Sequence, residues 1–218
     1  MFTITQAHYT NVQIATWLRG LLTIAWADGD FTETEQAFIN QLIQDMGFSE
    51  TDTVLFKTIT PDELVEGLGK DKMTSENFLR TAVLVAIADG LYSPVESVLL
   101  HQFSQALGIK VQALESLEHT ICDPQTGEGG DPHPDLLHPV KDWLDGMAIH
   151  DPRLAHFVCK LVPPQCPFER DITLFGHKLV HIPPLCKLNP LYEQLVGLRF
   201  RALSYLADDC KEDISPYI

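Results

Sequence analysis

The amino-acid sequence predicts an all-α protein. Apolar residues recur at helical spacing, no segment shows the sustained alternation of a strand, and the first half repeats itself at an offset of 61 residues. The predicted architecture is a bundle of two pseudo-repeated helical units followed by a smaller helical domain rich in cysteine and proline. The predicted parts are a first domain at residues 1–122, a linker at 123–134 and a second domain at 135–218.

Composition and charge argue against several classes of protein. The 218 residues are 45% hydrophobic, enough for a real core. Acidic residues outnumber basic ones 30 to 15, and the net charge of −15 disfavours nucleic acids and anionic membranes as partners. Residues 1–6 lack the features of a signal peptide, and the longest apolar run, 82–88, is far shorter than the ~20 residues of a membrane span. We therefore expect a cytoplasmic protein without an integral membrane segment, acting through a protein partner.

The internal repeat predicts the elements of the first domain. Residues 24–32 (IAWADGDFT) align with residues 85–93 (VAIADGLYS). Upstream, residues 17–19 (WLR) align with residues 78–80 (FLR) at the same offset. Because the matches fall in separate stretches at one offset, we interpret them as two copies of one unit, each made of a helix, a tight turn and a second helix.

Capping residues predict where these helices begin and end. Gly29 and Gly90 stand where a C-cap glycine is expected. In each copy the second helix is predicted to begin at a capping box and to end at a glycine. These residues are Thr32, Glu35 and Gly47 in the first copy, and Ser93, Glu96 and Gly108 in the second. Thr60 and Ser75 predict further helix starts.

The two Ala-Asp-Gly turns, each followed by a helix with glutamate seven residues after the aspartate, resemble the TerB-like (tellurite-resistance) helical family. The resemblance covers about residues 10–122. It implies a site for a divalent cation, Mg²⁺ or Ca²⁺, formed by Asp28, Glu35, Asp89 and Glu96. The same residues allow a purely structural interpretation, in which the glutamates complete capping boxes and the aspartates form turns.

The remainder of the chain begins with a linker and continues with helices. Residues 123–134 contain three prolines and three glycines, a composition typical of an exposed, mobile connection. Beyond the linker, apolar residues at helical spacing predict helices over 136–147, 154–161 and 191–206.

A proline-rich stretch separates the last two predicted helices. Residues 162–166 (VPPQC) and 182–186 (IPPLC) repeat within it. Prolines beside a cysteine fix the backbone, which suits a rigid thiolate site. His177 and His181 lie in the same stretch, where the preceding Phe-Gly and the following Pro-Pro predict a loop or a short strand.

Residues 136–210 resemble the family called the Mo-dependent nitrogenase C-terminal domain, which is found mostly in cyanobacteria. The motifs that carry the resemblance are CPFERD at 166–171, IPPLCKLNPLYEQL at 182–195 and LRFRAL at 198–203. The resemblance implies an accessory protein of cyanobacterial type, linked to nitrogenase or to a metal or stress response. It does not imply nitrogenase catalysis, because a catalytic subunit needs a far larger α/β framework than 218 mostly helical residues supply.

Four of the five cysteines lie in the second domain, at Cys159, Cys166, Cys186 and Cys210. In a cytoplasmic helical domain they predict a centre with four thiolate ligands, either zinc or a [4Fe–4S] cluster. The basic residues around them favour such an anionic centre. Their spacing contains no Cys-x2-Cys pair and does not separate the two metals. The alternative is that they are small core residues, an interpretation strongest for Cys159 on an apolar helix face.

The sequence contains no recognisable catalytic set. It has no phosphate-binding glycine loop, no Gly-x-Ser-x-Gly motif and no His-Glu-x-x-His motif. Arg199, Arg201 and Glu193 lie on a predicted helix, where a solvated or ion-paired face is the simpler interpretation. We therefore predict a non-catalytic accessory protein that binds metal or a protein partner. Two alternatives stay open, an iron–sulfur redox component that uses the four cysteines and a metal-free interaction scaffold.

Overall fold

In a computed structural model of the protein, the described residues are 9–27, 57–87, 92–110, 112–118, 137–162, 170–174, 177–182 and 191–218. The helices in these ranges are α1 (Asn11–Ala25), α2 (Pro61–Leu68), α3 (Lys72–Ala86), α4 (Pro94–Ala106), α5 (Gln112–Glu118), α6 (His138–Asp145), α7 (Pro152–Leu161) and α8 (Tyr192–Ser204). A π-helical turn (Tyr205–Asp209) and a 3₁₀ turn (Ser215–Tyr217) follow α8. The predicted all-α class is confirmed, with one small hairpin as the exception. No helix in these ranges has the length and apolarity that a bilayer crossing requires.

The hairpin lies in the proline-rich stretch. Strand β1 (Arg170–Leu174) pairs antiparallel with β2 (His177–Ile182), and the register shifts between Ile172 and Thr173. His177 and His181 therefore lie on a short strand, one of the two conformations that the sequence predicts for them. The β-branched residues in both segments favour this conformation.

The repeat is confirmed in its first helices. Helices α1 and α3 are both 15 residues long, and their first residues are the aligned Asn11 and Lys72. The aligned residues Trp17 and Phe78 contact each other edge to face, with ring centroids 5.8 Å apart. The two copies thus pack against each other through the same position of the repeat. The second helix of the first copy, with its predicted end at Gly47, lies outside the described residues.

The predicted C-caps of these first helices are wrong. Helices α1 and α3 end at Ala25 and Ala86, before Gly29 and Gly90, which lie outside the described residues. In each helix the amide of the next residue already donates to two carbonyls of the last turn, so no left-handed glycine is needed to close it.

The predicted helix start at Ser75 is also wrong. Ser75 is buried inside α3, because Asp71 caps this helix one turn earlier. The Asp71 carboxylate accepts hydrogen bonds from the Thr74 amide at 2.8 Å and the Thr74 hydroxyl at 2.7 Å. Aspartate and serine are both good caps, and the upstream aspartate takes the position.

The other predicted boundaries are confirmed where the structure describes them. Thr60 begins α2 with a capping box completed by Glu63, and Ser93 begins α4 with one completed by Glu96. Gly108 follows α4 with a φ of +68°, the left-handed conformation expected just beyond a helix end.

Residues from both predicted domains share one hydrophobic core, which extends from Ile14 to Leu206. Helix α5 of the first domain contacts α6 of the second. The Arg80 guanidinium of α3 donates to the Trp143 carbonyl at 2.8 Å and stacks 5.4 Å above the Trp143 ring. The domain boundaries and the linker at 123–134 lie outside the described residues and stay a prediction. The described parts on either side pack together.

A buried carboxylate joins the two parts a second time. Asp151 is fully buried at the start of α7, where its Oδ1 accepts the Arg153 amide at 2.9 Å and caps the helix. Its Oδ2 accepts the Tyr9 amide at 3.1 Å and the Arg153 guanidinium at 2.9 Å. Arg153 also donates to the Asn11 side chain at 2.8 Å. We call this group the Asp151–Arg153 clamp, because it holds the start of α1 against the start of α7.

Candidate functional site

Glu96 is the one described residue of the predicted cation site. Its carboxylate accepts hydrogen bonds from the Ser93 amide and the Ser93 hydroxyl, both at 2.8 Å. This geometry is the reciprocal capping box. The predicted capping role of Glu96 is thereby confirmed, and its role as a cation ligand stays a prediction. Asp28, Glu35 and Asp89 lie outside the described residues, so the Mg²⁺ or Ca²⁺ site stays a prediction.

Cys159 lies on α7 inside the hydrophobic core, with 3% of its surface exposed. Burial raises the pKa of its thiol to about 11, and the nearby Arg199 guanidinium offsets only part of this increase. The metal-free thiol is therefore protonated at neutral pH, as an ordinary cysteine thiol also is. Its position among buried apolar residues agrees with the core-residue interpretation of Cys159.

We expect the Cys159→Ala variant to lose part of the alkaline sensitivity of the fold. A thiol whose pKa rises on folding stabilises the protein fully below its unfolded pKa, near 9.0, and this contribution disappears as the pH approaches about 11. The free energy of unfolding should fall more steeply between those pH values in the wild type than in the variant, as measured by urea denaturation at fixed pH. Cys210→Ala is the control with a smaller expected effect. Equal slopes in wild type and Cys159→Ala would contradict the burial of this thiol.

The other predicted thiolate ligands do not complete a centre in the described part of the chain. Cys210 follows the π-helical turn and is half-buried, and burial raises the pKa of its thiol too. Cys166 and Cys186 lie outside the described residues. Within the described ranges no group of three or more histidine, cysteine, aspartate or glutamate residues is arranged to hold a metal ion. The zinc or [4Fe–4S] centre therefore stays a prediction.

Arg199 and Arg201 bind main-chain carbonyls. The guanidinium of Arg199 is buried and donates to the Val162 carbonyl at 2.8 Å and to the Tyr217 carbonyl. Arg201 donates to the Asp145 carbonyl at 3.1 Å and lies 3.9 Å from the Asp145 carboxylate. Arg201 thus matches the expected ion-paired face, whereas Arg199 is a buried structural residue.

A histidine holds the end of the chain against α7. His156 Nδ1 lies 2.7 Å from the Tyr217 hydroxyl, and Nε2 lies 2.9 Å from the Glu212 carboxylate. A neutral imidazole satisfies both contacts by accepting from the hydroxyl and donating to the carboxylate. The sequence carries no local signal for this arrangement, because His156 and Tyr217 are 61 residues apart.

An apolar surface is exposed on α8. Phe200 is 70% exposed and Val196, one turn earlier, is 42% exposed. Leu203 continues the row and is half-buried. We call Val196, Gly197, Phe200 and Leu203 the α8 stripe. Exposed aromatic side chains beside other apolar groups are typical of interaction surfaces rather than of solvated helix faces.

Sequence analysis missed this stripe because it grouped Phe200 with the other apolar residues that predict the helix over 191–206 and assigned it no separate face. The buried residues of α8 include Leu195, Leu198 and Ala202. Phe200 is two residues from both Leu198 and Ala202, a separation that places it on the opposite side of a helix. The two-residue separation of Phe200 from Leu198 and Ala202 can be read directly from the sequence.

A cleft of about 590 Å³ lies between the end of α4 and the start of α5. Its lining includes His101, Ser104, Lys110 and Glu115. The Ser104 hydroxyl is engaged with the Ile109 carbonyl, and the charges of Lys110 and Glu115 are of opposite sign. The cleft has a size found in ligand sites, but its lining selects no particular ligand.

Comparison with known families concerns the second half of the chain. Residues 136–218 match the family model described as Mo-dependent nitrogenase C-terminus. No curated protein and no solved structure matches the chain. The match confirms the resemblance found for the second half and includes all of α6, α7 and α8, whereas the TerB-like resemblance of the first half stays a prediction. Over residues 136–218, the chain is similar to the Mo-dependent nitrogenase C-terminus family.

Proposed function

We propose that this chain is a non-catalytic accessory protein that binds a protein partner through the α8 stripe, in a process linked to Mo-dependent nitrogenase. The observation that carries the proposal is Phe200, a large aromatic side chain that is 70% exposed in the middle of a helix. Fully burying a phenylalanine side chain contributes about 1.5–3 kcal/mol, so this residue has the energetic weight of an interface hot spot.

Two observations support a protein partner linked to nitrogenase, one from the family match and one from the net charge. The α8 stripe lies inside the region that matches the Mo-dependent nitrogenase C-terminus family. The net charge of −15 disfavours a nucleic acid or an anionic membrane as the partner. The component proteins of Mo-dependent nitrogenase are therefore the first probes to use.

The described residues favour a metal-free scaffold over an iron–sulfur redox component. Cys159 lies buried in the hydrophobic core, the position expected of a small core residue. The arginines of α8 are engaged with carbonyls and do not present a catalytic group. A scaffold needs only an exposed apolar surface on a stable helical support, and α8 provides both.

The test is biolayer interferometry with the full chain immobilised and the purified component proteins of Mo-dependent nitrogenase in solution. Phe200→Asp should weaken binding at least tenfold, because it removes the aromatic side chain and places a charge in the interface. Val98→Asp is the matched control, since Val98 is a 56% exposed residue in the middle of α4 and the substitution adds the same charge. Equal effects of both substitutions, or no binding by the wild type, would overturn the proposal.

A further inference from the structure

Gly197 occupies a position where the described part of the fold gives no packing reason for glycine. It lies in the interior of α8, where glycine costs about 0.5–1 kcal/mol relative to alanine. Other helical glycines have a packing reason: a Cβ on Gly20 would lie 2.6 Å from the Phe78 ring. A Cβ on Gly67 would collide with the Thr16 side chain. A Cβ on Gly197 would meet no atom of the described residues within 4 Å.

The place of Gly197 in the α8 stripe suggests what the missing side chain leaves room for. Gly197 directly follows Val196 and precedes Phe200 by one turn, so it leaves a shallow notch beside these two exposed apolar side chains. A glycine at such a point lets another backbone approach closely. Helices that pack against each other have axes about 8–10 Å apart, and small residues at the crossing point allow the shorter distances.

The charges around the stripe select the sign of the partner. Glu193 precedes the stripe by one turn, Asp208 follows it, and both are exposed. The nearby cation Arg201 is compensated by Asp145. Together with the net charge of −15, these acidic residues disfavour a second copy of the chain and favour a partner with basic residues.

We infer that the α8 stripe receives an amphipathic helix of the partner protein, which crosses α8 at Gly197 and carries lysine or arginine at both ends of its apolar face. The inference rests on the proposed function and names the chemistry of its partner. In this arrangement Phe200 and Val196 supply the apolar contact, Gly197 supplies the close approach, and Glu193 and Asp208 face the basic ends. This is the helix-in-groove mode of recognition.

The experiment uses the full chain and two synthetic helical peptides, one with a leucine stripe ended by lysines and one with glutamates in place of the lysines. Fluorescence anisotropy measures binding. The lysine peptide should bind the wild type. Its affinity should fall at least tenfold with Gly197→Leu, while thermal unfolding shows that this variant is at least as stable as the wild type, since leucine is the better helix former. Val98→Leu, the control for added bulk on an exposed helix face, should leave the affinity unchanged.

The other possible outcomes test the crossing point, the binding site, the charge of the partner and its identity separately. If Phe200→Ala abolishes binding but Gly197→Leu does not, the crossing at Gly197 is overturned and the docking role of the stripe survives. If neither substitution weakens binding, the lysine peptide binds elsewhere and the stripe is not the site. Equal binding of the glutamate peptide, or failure of the lysine peptide to bind, would overturn the basic partner. Phe200-dependent dimers in light scattering would identify a second copy as the occupant and overturn the inference.

Discussion

Asp151→Ala should lower the free energy of unfolding by about 3–5 kcal/mol, the loss expected when one member of a buried ion pair is removed. The wild-type carboxylate is fully buried and accepts hydrogen bonds from Arg153 and from the Tyr9 amide. Alanine would leave the Arg153 guanidinium without its carboxylate, the Tyr9 amide without its acceptor and α7 without its cap. Urea denaturation followed by circular dichroism measures the loss.

The matched control is Asp71→Ala. Asp71 caps α3 as Asp151 caps α7, but it is exposed, and within the described residues its carboxylate bonds only to Met73 and Thr74 of the same helix turn. Its removal should cost about 0.5–2 kcal/mol, the usual value of a helix cap. Losses of the same size in both variants would mean that the Asp151–Arg153 clamp stabilises the fold no more than an ordinary cap does.

Phe78→Ala should have an effect of similar size, about 3–5 kcal/mol, because it opens a cavity in the centre of the core. Phe78 has no exposed surface and contacts Trp17 and Phe103 at centroid distances of 5.8 and 5.9 Å. The backbone of α1 at Gly20 lies directly against its ring, so a main chain rather than an adaptable side chain forms one wall of the cavity. That wall limits the collapse that would reduce the cost.

Phe200→Ala is the control for this second prediction. It deletes the same side chain from a position that is 70% exposed, and we expect a change within about 0.5 kcal/mol. Chemical denaturation of both variants under identical conditions gives the comparison. If Phe200→Ala were as destabilising as Phe78→Ala, Phe200 would be a structural residue and its exposure would carry no functional argument.

The parts of the fold that could be predicted are those encoded by local sequence. The 61-residue offset predicted α1 and α3, whose equal lengths and starts follow the repeat. The capping boxes after Thr60 and Ser93 predicted the starts of α2 and α4, because the hydrogen bonds involved span only three residues.

The parts that sequence reasoning missed depend on contacts between distant residues or on competition between neighbours. Ser75 has the chemistry of a cap, but Asp71 begins the helix first and leaves Ser75 buried inside it. The contact between Tyr9 and Asp151 joins segments 142 residues apart, and no periodicity reports such a pairing. The sequence analysis predicted two separate domains joined by a linker, and helical spacing within each domain does not show that their apolar residues form one common core.

The residues of the candidate sites also differ in how far local sequence could predict their roles. The sequence predicted the capping role of Glu96 correctly, because its hydrogen bonds to Ser93 are local, whereas a cation site would also need residues that lie outside the described part of the chain. Cys159 was open to a ligand or a core interpretation, because the spacing of cysteines in a sequence does not show whether a thiol is buried. Phe200 was grouped with the other apolar residues of the last predicted helix, although its phase relative to Leu198 distinguishes the two sides of that helix.

Amide hydrogen exchange tests the central claim, that α8 is the partner-binding surface, most directly. The full chain is compared alone and with the purified component proteins of Mo-dependent nitrogenase, and exchange is resolved by peptide mass spectrometry. The account predicts slower exchange of the complex in peptides covering residues 192–209, with no change in peptides covering 101–115 at the cleft between α4 and α5. Protection confined to the cleft, or exchange in 192–209 identical with and without the nitrogenase proteins, would contradict it.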